Sequence, residues 1–429
     1  MLSKHKKLTI GSICAAFMTV PAYSYADNAA LERKLESLEQ EISLLKEDLE
    51  NKAVRSGESQ GAIRLPGTST DLSVGGFIHL EVAAGESGSG LPNNPGFAPS
   101  LLSTPFGEIE GRDTAVDWTA RRSRLWLKTS TPTEEDRLNT YLEIDFYGAD
   151  GTESFTHSHA PRLRRAFATY GNWLVGQEFT TFFDFAAAGE LINFGGHANL
   201  VQVRQPQVRY TLNRDWGSLK IAAENSYEDK VVTLSNSVAD TQKDDQKYPD
   251  VILRADIPFG DVHTSWKLMG RMLTMDNPAS QGDVDDETLA GAFGSTIRLP
   301  IASNNLTLEY HYGALGRYVA LSAHPDAFVD NDKIEAFNSW GVSAQYTHKW
   351  GGKWNWRTTA VYAHTEADED MSGMPAGVAK STSTGIINLF WSPMKSTSLG
   401  VEYGYYELDA NQVGNYSVSR VNLSAQYGF

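Results

Sequence analysis

The chain ends in the stretch Val421-Asn422-Leu423-Ser424-Ala425-Gln426-Tyr427-Gly428-Phe429. Apolar residues occupy every odd position of this stretch, and polar residues or glycine occupy every even one. Because successive side chains of a strand point to opposite faces, the pattern predicts a strand with one apolar and one polar face. Such a strand at a free sheet edge invites aggregation, whereas a closed barrel has no edge. The stretch therefore favours a membrane β-barrel over an ordinary amphipathic edge strand, which is the alternative.

The start of the chain indicates export from the cytoplasm. Three lysines within the first seven residues precede an apolar run over residues 8–20, and small residues lead up to Ala26. This order is typical of a signal peptide, predicted here over residues 1–26. No later apolar run reaches the length of about 18 residues that a membrane helix needs. The formal net charge of −16 argues against a nucleic-acid partner.

A leucine-rich segment follows the predicted signal peptide. Its apolar residues are spaced alternately by four and three positions, at Leu31, Leu35, Leu38, Ile42, Leu45 and Leu49. This heptad spacing predicts a coiled-coil helix over residues 27–52 that joins several chains, three being favoured. The alternative is a single amphipathic helix docked on a neighbouring element. The polar, glycine-containing residues 53–69 are predicted to form a linker.

Residues 70–429 show sixteen segments of alternating hydrophobicity, which predict a 16-stranded antiparallel transmembrane β-barrel. The connections alternate between long ones and short ones rich in turn formers, as in bacterial outer-membrane barrels. An even strand count places both ends of the barrel on the short-turn side, which is the periplasm. The segments lie near 71–83, 118–129, 137–147, 162–170, 173–182, 203–212, 217–227, 249–257, 261–273, 287–299, 304–314, 335–348, 354–364, 382–392, 396–408 and 416–429.

Cationic residues alternate with apolar ones on many of these strands. An arginine on the lipid face would cost about 2–4 kcal/mol at mid-bilayer, so these side chains are predicted to face a polar lumen. The predicted lumenal cations are Arg122, Arg124, Arg162, Arg164, Arg204, Arg209, Lys220 and Arg254. Arg121 and Arg165 fall on the opposite parity, which predicts a place near a rim or a subunit contact, or else a β-bulge.

Two carboxylates are predicted to share this lumen. A turn centred near Thr133 and Glu134 would place Arg124 opposite Glu143 and Arg122 opposite Asp145. These pairs form either a self-neutralising cross-strand ladder or part of a cationic constriction that attracts anions.

The connection over residues 183–202 is more apolar than an exposed loop should be. It is predicted to fold into the barrel and to form one wall of a constriction, with Asp184 or Glu190 facing the arginines and His197 in the same loop. The alternative is a loop packed on the outside of a trimer.

Several stretches resemble the DcaP-like porins: Ser123–Lys128, Leu163–Phe167, Gly171–Gln177 and Arg204–Tyr210. The order of signal peptide, short coiled coil and barrel is also similar. The resemblance implies a homotrimer of sixteen-stranded barrels in the bacterial outer membrane, with the coiled coil in the periplasm, that takes up small anions such as dicarboxylic and aromatic carboxylic acids. It places Arg162, Arg164, Arg204 and Arg209 on matched segments. The terminal Phe429 resembles the C-terminal aromatic signal that the barrel-assembly machinery reads.

These observations predict passive diffusion of small anionic solutes through each barrel, with outer-membrane lipid outside it. No catalytic residue set is apparent, so an enzyme, a cofactor and a metal are not expected. Two alternatives stay open. One is a weakly selective general porin in which the lumenal ion pairs cancel. The other is a structural or adhesive barrel, which would conduct few or no ions.

Overall fold

A computed structural model describes residues 28–52, 55–58, 61–86, 114–149, 156–225, 231–233, 247–277, 284–319, 322–330, 333–352 and 355–429. Two compact units are present. One contains the helix α1, Asn28–Lys52, and the other is a closed barrel of sixteen antiparallel strands. The prediction of fold class is therefore confirmed. The predicted signal peptide, residues 1–26, lies outside the described residues.

The barrel strands are labelled in chain order, and their bounds lie within four residues of the predicted segments except at the start of β2. The second predicted segment, 118–129, began six residues too early, because residues 118–119 belong to the separate strand Thr114–Thr119. They are β1 Asp71–Glu86, β2 Arg124–Pro132, β3 Arg137–Asp145, β4 Arg162–Tyr170, β5 Trp173–Phe179, β6 Arg204–Arg214, β7 Gly217–Glu224, β8 Asp250–Phe259, β9 Val262–Asn277, β10 Val284–Ile301, β11 Asn304–Gly313, β12 Ser339–Gly351, β13 Trp356–Ala367, β14 Ala379–Trp391, β15 Thr397–Ala410 and β16 Gly414–Gly428.

Shorter elements accompany the barrel. The strand Thr114–Thr119 pairs with β1 beyond the part of β1 that pairs with β2. A separate small sheet contains Val231–Thr233, Ala327–Asp330 and Lys333–Ala336. The remaining elements are two-residue strands at Arg55–Ser56 and Ile63–Arg64, the helix α2 at Phe185–Ala188 and a 3₁₀ turn at Met371–Gly373.

The C-terminal strand closes the barrel. Strand β16 pairs with β1 in a register that runs from Arg420 opposite Gly85 to Gly428 opposite Phe77. The last residue continues this pairing, because the Phe429 amide donates to the Gly76 carbonyl at 3.0 Å and the Phe429 carbonyl accepts from the Gly76 amide at 3.2 Å. The alternating C-terminal stretch is thus the strand that removes the free sheet edge.

Side-chain burial follows the predicted two-residue period. On β1 the outward residues Val74, Ile78 and Leu80 are exposed, whereas the intervening His79 and Glu81 are buried. Aliphatic side chains therefore cover the outside of the barrel and polar side chains point inward, as a lipid-facing barrel requires.

The two rims differ as predicted. Six tight turns in the described part of the chain lie on one side, here called the short-turn rim, at residues 133–136, 171–172, 215–216, 260–261, 302–303 and 392–396. Two connections predicted to be long, 274–286 and 409–415, shrink to 278–283 and 411–413 because their flanking strands extend further than the sequence indicated.

The predicted register between β2 and β3 is wrong by two residues. Thr133 and Asp136 close a four-residue turn with a 2.8 Å backbone hydrogen bond, so Trp126 stands opposite Glu143. Arg124 therefore is not the cross-strand neighbour of Glu143. Arg122 precedes β2 and forms no ion pair with Asp145 among the residues that the structure describes.

A β-bulge between β3 and β4 resolves the parity of Arg165. Glu143 pairs with Arg165 and Ile144 pairs with Leu163, which leaves Arg164 as the extra residue. The bulge turns Arg164 and Arg165 to the same side of the sheet, toward the interior. The bulge was one of the two explanations that the sequence left open, and it is the correct one.

The helix α1 covers nearly all of the predicted coiled-coil segment and leaves its apolar seam exposed at Leu31, Leu35, Leu38, Ile42 and Leu45. None of the described helices has both the length and the apolar character needed to cross a membrane. Part of the predicted linker is ordered, because the Gly57 amide donates to the Ala62 carbonyl at 2.8 Å and the Glu58 amide donates to Asp71 at 2.9 Å.

Candidate functional site

Residues 183–202, here called the inward loop, lie inside the barrel and cross it. On the β14–β15 wall, the amides of Ile192 and Asn193 donate to the two carboxylate oxygens of Glu402 at 2.8 and 2.7 Å. The side-chain amide of Asn388 donates to the Glu190 carbonyl at 2.8 Å. These bonds fix the middle of the loop to the wall opposite the strands from which it emerges.

The start of the inward loop is fixed to β8 and β9. Asp184 Oδ2 lies 3.1 Å from Arg254 Nη2 and 3.0 Å from His263 Nε2. Asp184 also caps α2 by accepting a 2.9 Å hydrogen bond from the Ala186 amide. Burial alone would raise the pKa of this carboxyl, but the His263 hydrogen bond and the Arg254 charge lower the pKa well below its ordinary range. Asp184 is therefore a charged anchor of the loop.

A glycine allows the loop to turn after α2. Gly189 has a φ of 64°, a left-handed conformation that favours glycine. A Cβ at this position would lie 2.1 Å from Gln345 Oε1 on β12. The close approach of the loop to the β12 wall thus requires a residue without a side chain.

Facing β2 to β4, the loop presents carbonyl groups and an aromatic ring. Arg122 donates to the Leu191 carbonyl at 3.1 Å and also to the Ile192 carbonyl. The Phe194 ring stacks on Tyr147 at 5.3 Å, and the Arg164 guanidinium lies 5.0 Å from the Phe194 ring centre. No carboxylate of the described part of the loop points at these arginines.

Two carboxylates on β3 hold the buried arginines of β4. Arg162 forms a bidentate pair with Asp145 at 3.0 and 2.8 Å. Arg164 reaches Glu143 at 2.7 Å and Asp145 at 2.8 Å, while Arg124 lies 3.6 Å from Glu143. Arg162 and Arg164 therefore share Asp145, because the bulge turns Arg164 toward the same carboxylates.

Arg204 and Arg209, on β6, differ from the β4 arginines. Neither forms an ion pair within 4.0 Å among the described residues, and Arg204 instead lies 5.3 Å from the Phe179 ring centre. The Arg204 guanidinium lies within electrostatic range of Arg162 and Arg164. These residues form what is called here the arginine cluster: Arg122, Arg124, Arg162, Arg164 and Arg204.

The remaining predicted cations belong to another ion-pair group. Lys220 Nζ lies 2.5 Å from Asp256 and Arg254 Nε lies 2.7 Å from the same carboxylate. Asp184, Asp256 and His263 could in principle approach one metal ion. Because Arg254 pairs with both carboxylates, the group is better described as an ion-pair network than as a metal site.

Two residues of the inward loop do not occupy their predicted places. Glu190 forms an ion pair with Arg357 on β13 rather than with an arginine of the arginine cluster. His197 is fully buried, and its ring nitrogen lies 3.5 Å from the Ala187 carbonyl within the loop. Of the two predicted acidic residues, Asp184 forms an ion pair with a predicted cation, Arg254, whereas the ion-pair partner of Glu190 is Arg357.

The sequence reasoning missed a second connection that folds inward, which comprises residues 314–319, 322–330 and 333–338 among the described residues. Arg271 of β9 holds it through Asp326 at 2.5 Å, and its own Tyr318 hydroxyl donates to Asp250 of β8 at 2.5 Å. The signal available was the group of large apolar residues there, Tyr318, Val319 and Phe328, all of which are buried.

A cavity of about 210 Å³ lies between the inward loop and the β1–β2 wall. Arg122, Arg124, Glu190 and Ile192 are among the residues that line it. Two residues of the arginine cluster, Arg122 and Arg124, therefore border open space in the interior of the barrel.

A closed sixteen-stranded barrel with aliphatic residues outside, polar residues inside and a loop folded into it defines a porin. The chain belongs to the DcaP outer membrane protein family, whose sequence profile matches residues 21–429. The resemblance noted from the motifs is thereby confirmed, and the protein is an outer-membrane porin.

Solved structures share the fold. The outer membrane channel DcaP of Acinetobacter baumannii is 22% identical, with a TM-score of 0.72 over 84% of this chain and 98% of that one. OmpT of Vibrio cholerae in a trimer form is 12% identical, with a TM-score of 0.51 over 84% of this chain and 100% of that one. An anion-selective porin from Comamonas acidovorans is 11% identical, with a TM-score of 0.50 over 84% and 100%. No curated protein sequence matches the chain.

Proposed function

We propose that the barrel conducts small anionic solutes by passive diffusion past the arginine cluster. The observation that carries this proposal is the imbalance of charge at the cluster. Arg124, Arg162 and Arg164 share two carboxylates there, Glu143 and Asp145. Arg122 donates instead to carbonyls of the inward loop and Arg204 lies over the Phe179 ring, and neither forms an ion pair among the described residues. A net positive charge in a narrow, low-dielectric passage concentrates anions.

The chemistry of arginine favours carboxylates among the possible anions. A guanidinium group presents a planar fork of donors that matches a carboxylate. Arg162 and Arg164 already use their forks on Asp145 and Glu143. Arg204 and Arg209 have no such partner among the described residues, so they are the donors that a passing mono- or dicarboxylate would meet.

The alternative of a weakly selective general porin is favoured by one observation, the pairing of Arg162 and Arg164. If all cations of the lumen were paired in this way, the passage would be close to neutral. The anion-conducting passage and the weakly selective general porin therefore differ in whether Arg204 and Arg209 attract passing anions.

We also propose that three chains assemble, with α1 as a periplasmic coiled coil. The support is the exposed heptad seam of α1, whose leucines would be buried only against other helices. Phe429 is proposed as the residue that the barrel-assembly machinery reads, and its ring is more than half exposed.

Solute uptake into proteoliposomes tests the proposal. We expect radiolabelled succinate to enter faster than uncharged erythritol, and the double variant R204Q/R209Q to lose this preference. The control R214Q/K395Q removes the same charge from exposed positions at the short-turn rim and should keep the preference. Equal preference in both double variants would contradict the proposal, and no uptake of either solute would support a structural barrel.

A further inference from the structure

The second connection that folds inward is here called the second inward loop, and its described residues are 314–319, 322–330 and 333–338. It contacts two walls of the barrel that face each other. The Arg317 guanidinium donates to the Gln205 side chain of β6 at 2.8 Å, and the Ser322 carbonyl accepts a 2.7 Å hydrogen bond from the Thr382 hydroxyl of β14. Strands β6 and β14 are eight positions apart in a barrel of sixteen strands, so the loop spans the lumen.

The contacts of the second inward loop with the wall lie near one end of the barrel. Gln205, Asp250 and Thr382 are each among the first four residues of β6, β8 and β14, respectively. These strand ends belong to the rim opposite the short-turn rim. The loop therefore lies across one mouth of the barrel.

Buried charges fix the second inward loop to β9. Asp326 is fully buried, and it accepts hydrogen bonds from the Arg317 amide at 3.0 Å and from the Arg271 guanidinium at 2.5 Å. Arg271 also donates to the Ala314 carbonyl at 3.0 Å. Separation of Arg271 from Asp326 would leave a charge uncompensated away from water, which is strongly unfavourable. One guanidinium thus holds the loop at two points of its sequence.

Apolar side chains join the second inward loop to the inward loop. Leu315, Tyr318 and Val319 are buried, and they share one cluster with Phe182 and Phe183 of the inward loop. Interiors packed in this way contain few voids that could hold water. Ions and solutes are therefore excluded from the space between the two loops.

A second apolar cluster fills the lumen beside β13 and β15. Ala323 of the second inward loop and Leu191 of the inward loop pack there with Val361, Tyr406 and Leu408 of the wall. All five side chains are buried. The part of the barrel that the second inward loop covers is thus a packed core.

Two cavities lie in the other part of the lumen. One, of about 660 Å³, is lined by residues of β1 to β4. The other is the cavity of about 210 Å³ described above, which is lined by the inward loop and by residues beside or within β1, β2 and β14 to β16. Neither lining includes a described residue of the second inward loop.

We propose that the second inward loop limits the size of the solutes that the porin admits, and that Arg271 is the positioning residue that holds the loop in place. The loop covers the half of the mouth bounded by β6 to β14, so solutes are confined to the other half. This limit acts on size whatever the charge of the solute, and it goes beyond the anion preference proposed above.

The register of β11 and β12 allows the loop to be removed without a break in the barrel wall. Gly313 and Ser339, at the two ends of the loop, are cross-strand partners, so a two-residue turn can join the strands. The test variant carries the dipeptide Asn-Gly in place of residues 314–338. Because it opens the covered half of the mouth, we expect its single-channel conductance in planar bilayers to be about twice that of the wild type.

Swelling of liposomes that contain the purified protein measures the size limit. The wild type should admit glucose much faster than the trisaccharide raffinose, and the deletion variant should bring the two rates closer together. Unchanged conductance and an unchanged ratio of rates in a folded deletion variant would overturn the proposal. Heat-dependent migration on gels checks that the variant is folded.

The reversal potential in a KCl gradient separates the two inward loops. The deletion leaves the arginine cluster in place, together with the hydrogen bonds from the inward loop to Glu402. We therefore expect the anion preference of the deletion variant to equal that of the wild type. A raised conductance with a lost anion preference would show that the inward loop had moved, and would overturn the proposal.

R271Q tests the anchor without removal of the loop, and it replaces the deletion variant if the latter fails to fold. It removes the donor to Asp326 and to the Ala314 carbonyl, so conductance should lie between the values of the wild type and the deletion variant. R137Q is the matched control, because Arg137 pairs with the exposed Glu58 at 2.9 Å on the short-turn rim. R137Q should keep the wild-type conductance, and equal conductance of R271Q and R137Q would overturn the role of Arg271.

The size limit and the proposed function can fail separately. A wild-type channel with no anion preference, whose conductance still rises when the second inward loop is deleted, would overturn the proposed function and support the size limit. An anion-selective channel that is unaffected by the deletion would do the reverse.

Discussion

Removal of Arg164 tests whether the ion pairs beside the inward loop hold the barrel together. Arg164 is 3% exposed and donates to Glu143 and Asp145, which are 4% and 0% exposed. Loss of one partner from a buried pair costs about 3–5 kcal/mol, because a charge is left uncompensated. Asp145 keeps Arg162 and Glu143 keeps the Tyr141 hydroxyl at 2.7 Å. We therefore expect R164Q to lower the free energy of unfolding by about 3 kcal/mol.

The assay is urea unfolding in lipid vesicles, followed by tryptophan fluorescence. R137Q is the matched control, because Arg137 pairs with the exposed Glu58 at 2.9 Å on the short-turn rim. An exposed pair of this kind contributes about 0–1 kcal/mol. The double variant R164Q/E143Q should recover part of the lost free energy of unfolding, since it also removes the Glu143 carboxylate, which R164Q leaves without Arg164 as its partner. Equal destabilisation by R164Q and R137Q would show that water reaches the ion pairs of Arg164 with Glu143 and Asp145. It would contradict the explanation that these pairs stabilise the barrel because they are buried.

Three further predictions concern selectivity, pH and assembly. R204Q/R209Q should move the reversal potential in a KCl gradient toward zero, since it removes two cations that have no carboxylate partner among the described residues; an unmoved potential would count against their role. The pKa of Asp184 is lowered by its partners, so its anchoring of the loop is complete above the unfolded Asp pKa of about 4 and is lost only as the pH falls below it. Conductance should therefore be steady from pH 7 to 5 and change in stronger acid, and D184N should show the altered conductance already at pH 7. Deletion of Phe429 removes two backbone hydrogen bonds at the closing seam, and should reduce the amount of folded protein in isolated outer membranes, whereas F429Y should not.

The sequence was sufficient to predict the barrel because every strand carries the same local signal. A two-residue alternation of apolar and polar side chains can be read without knowing what a strand pairs with. Strand count, closure by the C-terminal stretch and the difference between the rims all follow from it. The ends of the strands could not be predicted as well, since β9 and β10 end and begin at Asn277 and Val284, beyond the predicted segments 261–273 and 287–299.

Details of the site depend on geometry that local patterns do not contain. The turn at residues 133–136 is longer than the motif suggested, and this moved Arg124 away from Glu143 by two positions. The bulge at Arg164 reversed the parity of Arg165. Glu190 and Arg357 are 167 residues apart, so their ion pair arises only when the inward loop has crossed the barrel. The sequence thus supplied the correct residue types for the lumen but, apart from the contact of Arg124 with Glu143, not their partners.

The reversal potential of the wild-type protein tests the central claim most directly. Purified protein in a planar bilayer between concentrated and dilute KCl should give a reversal potential that is shifted from zero toward the equilibrium potential of chloride. The reason is that the arginine cluster carries more positive than negative charge. A reversal potential at zero, or one shifted toward the equilibrium potential of potassium, would contradict an anion-selective passage.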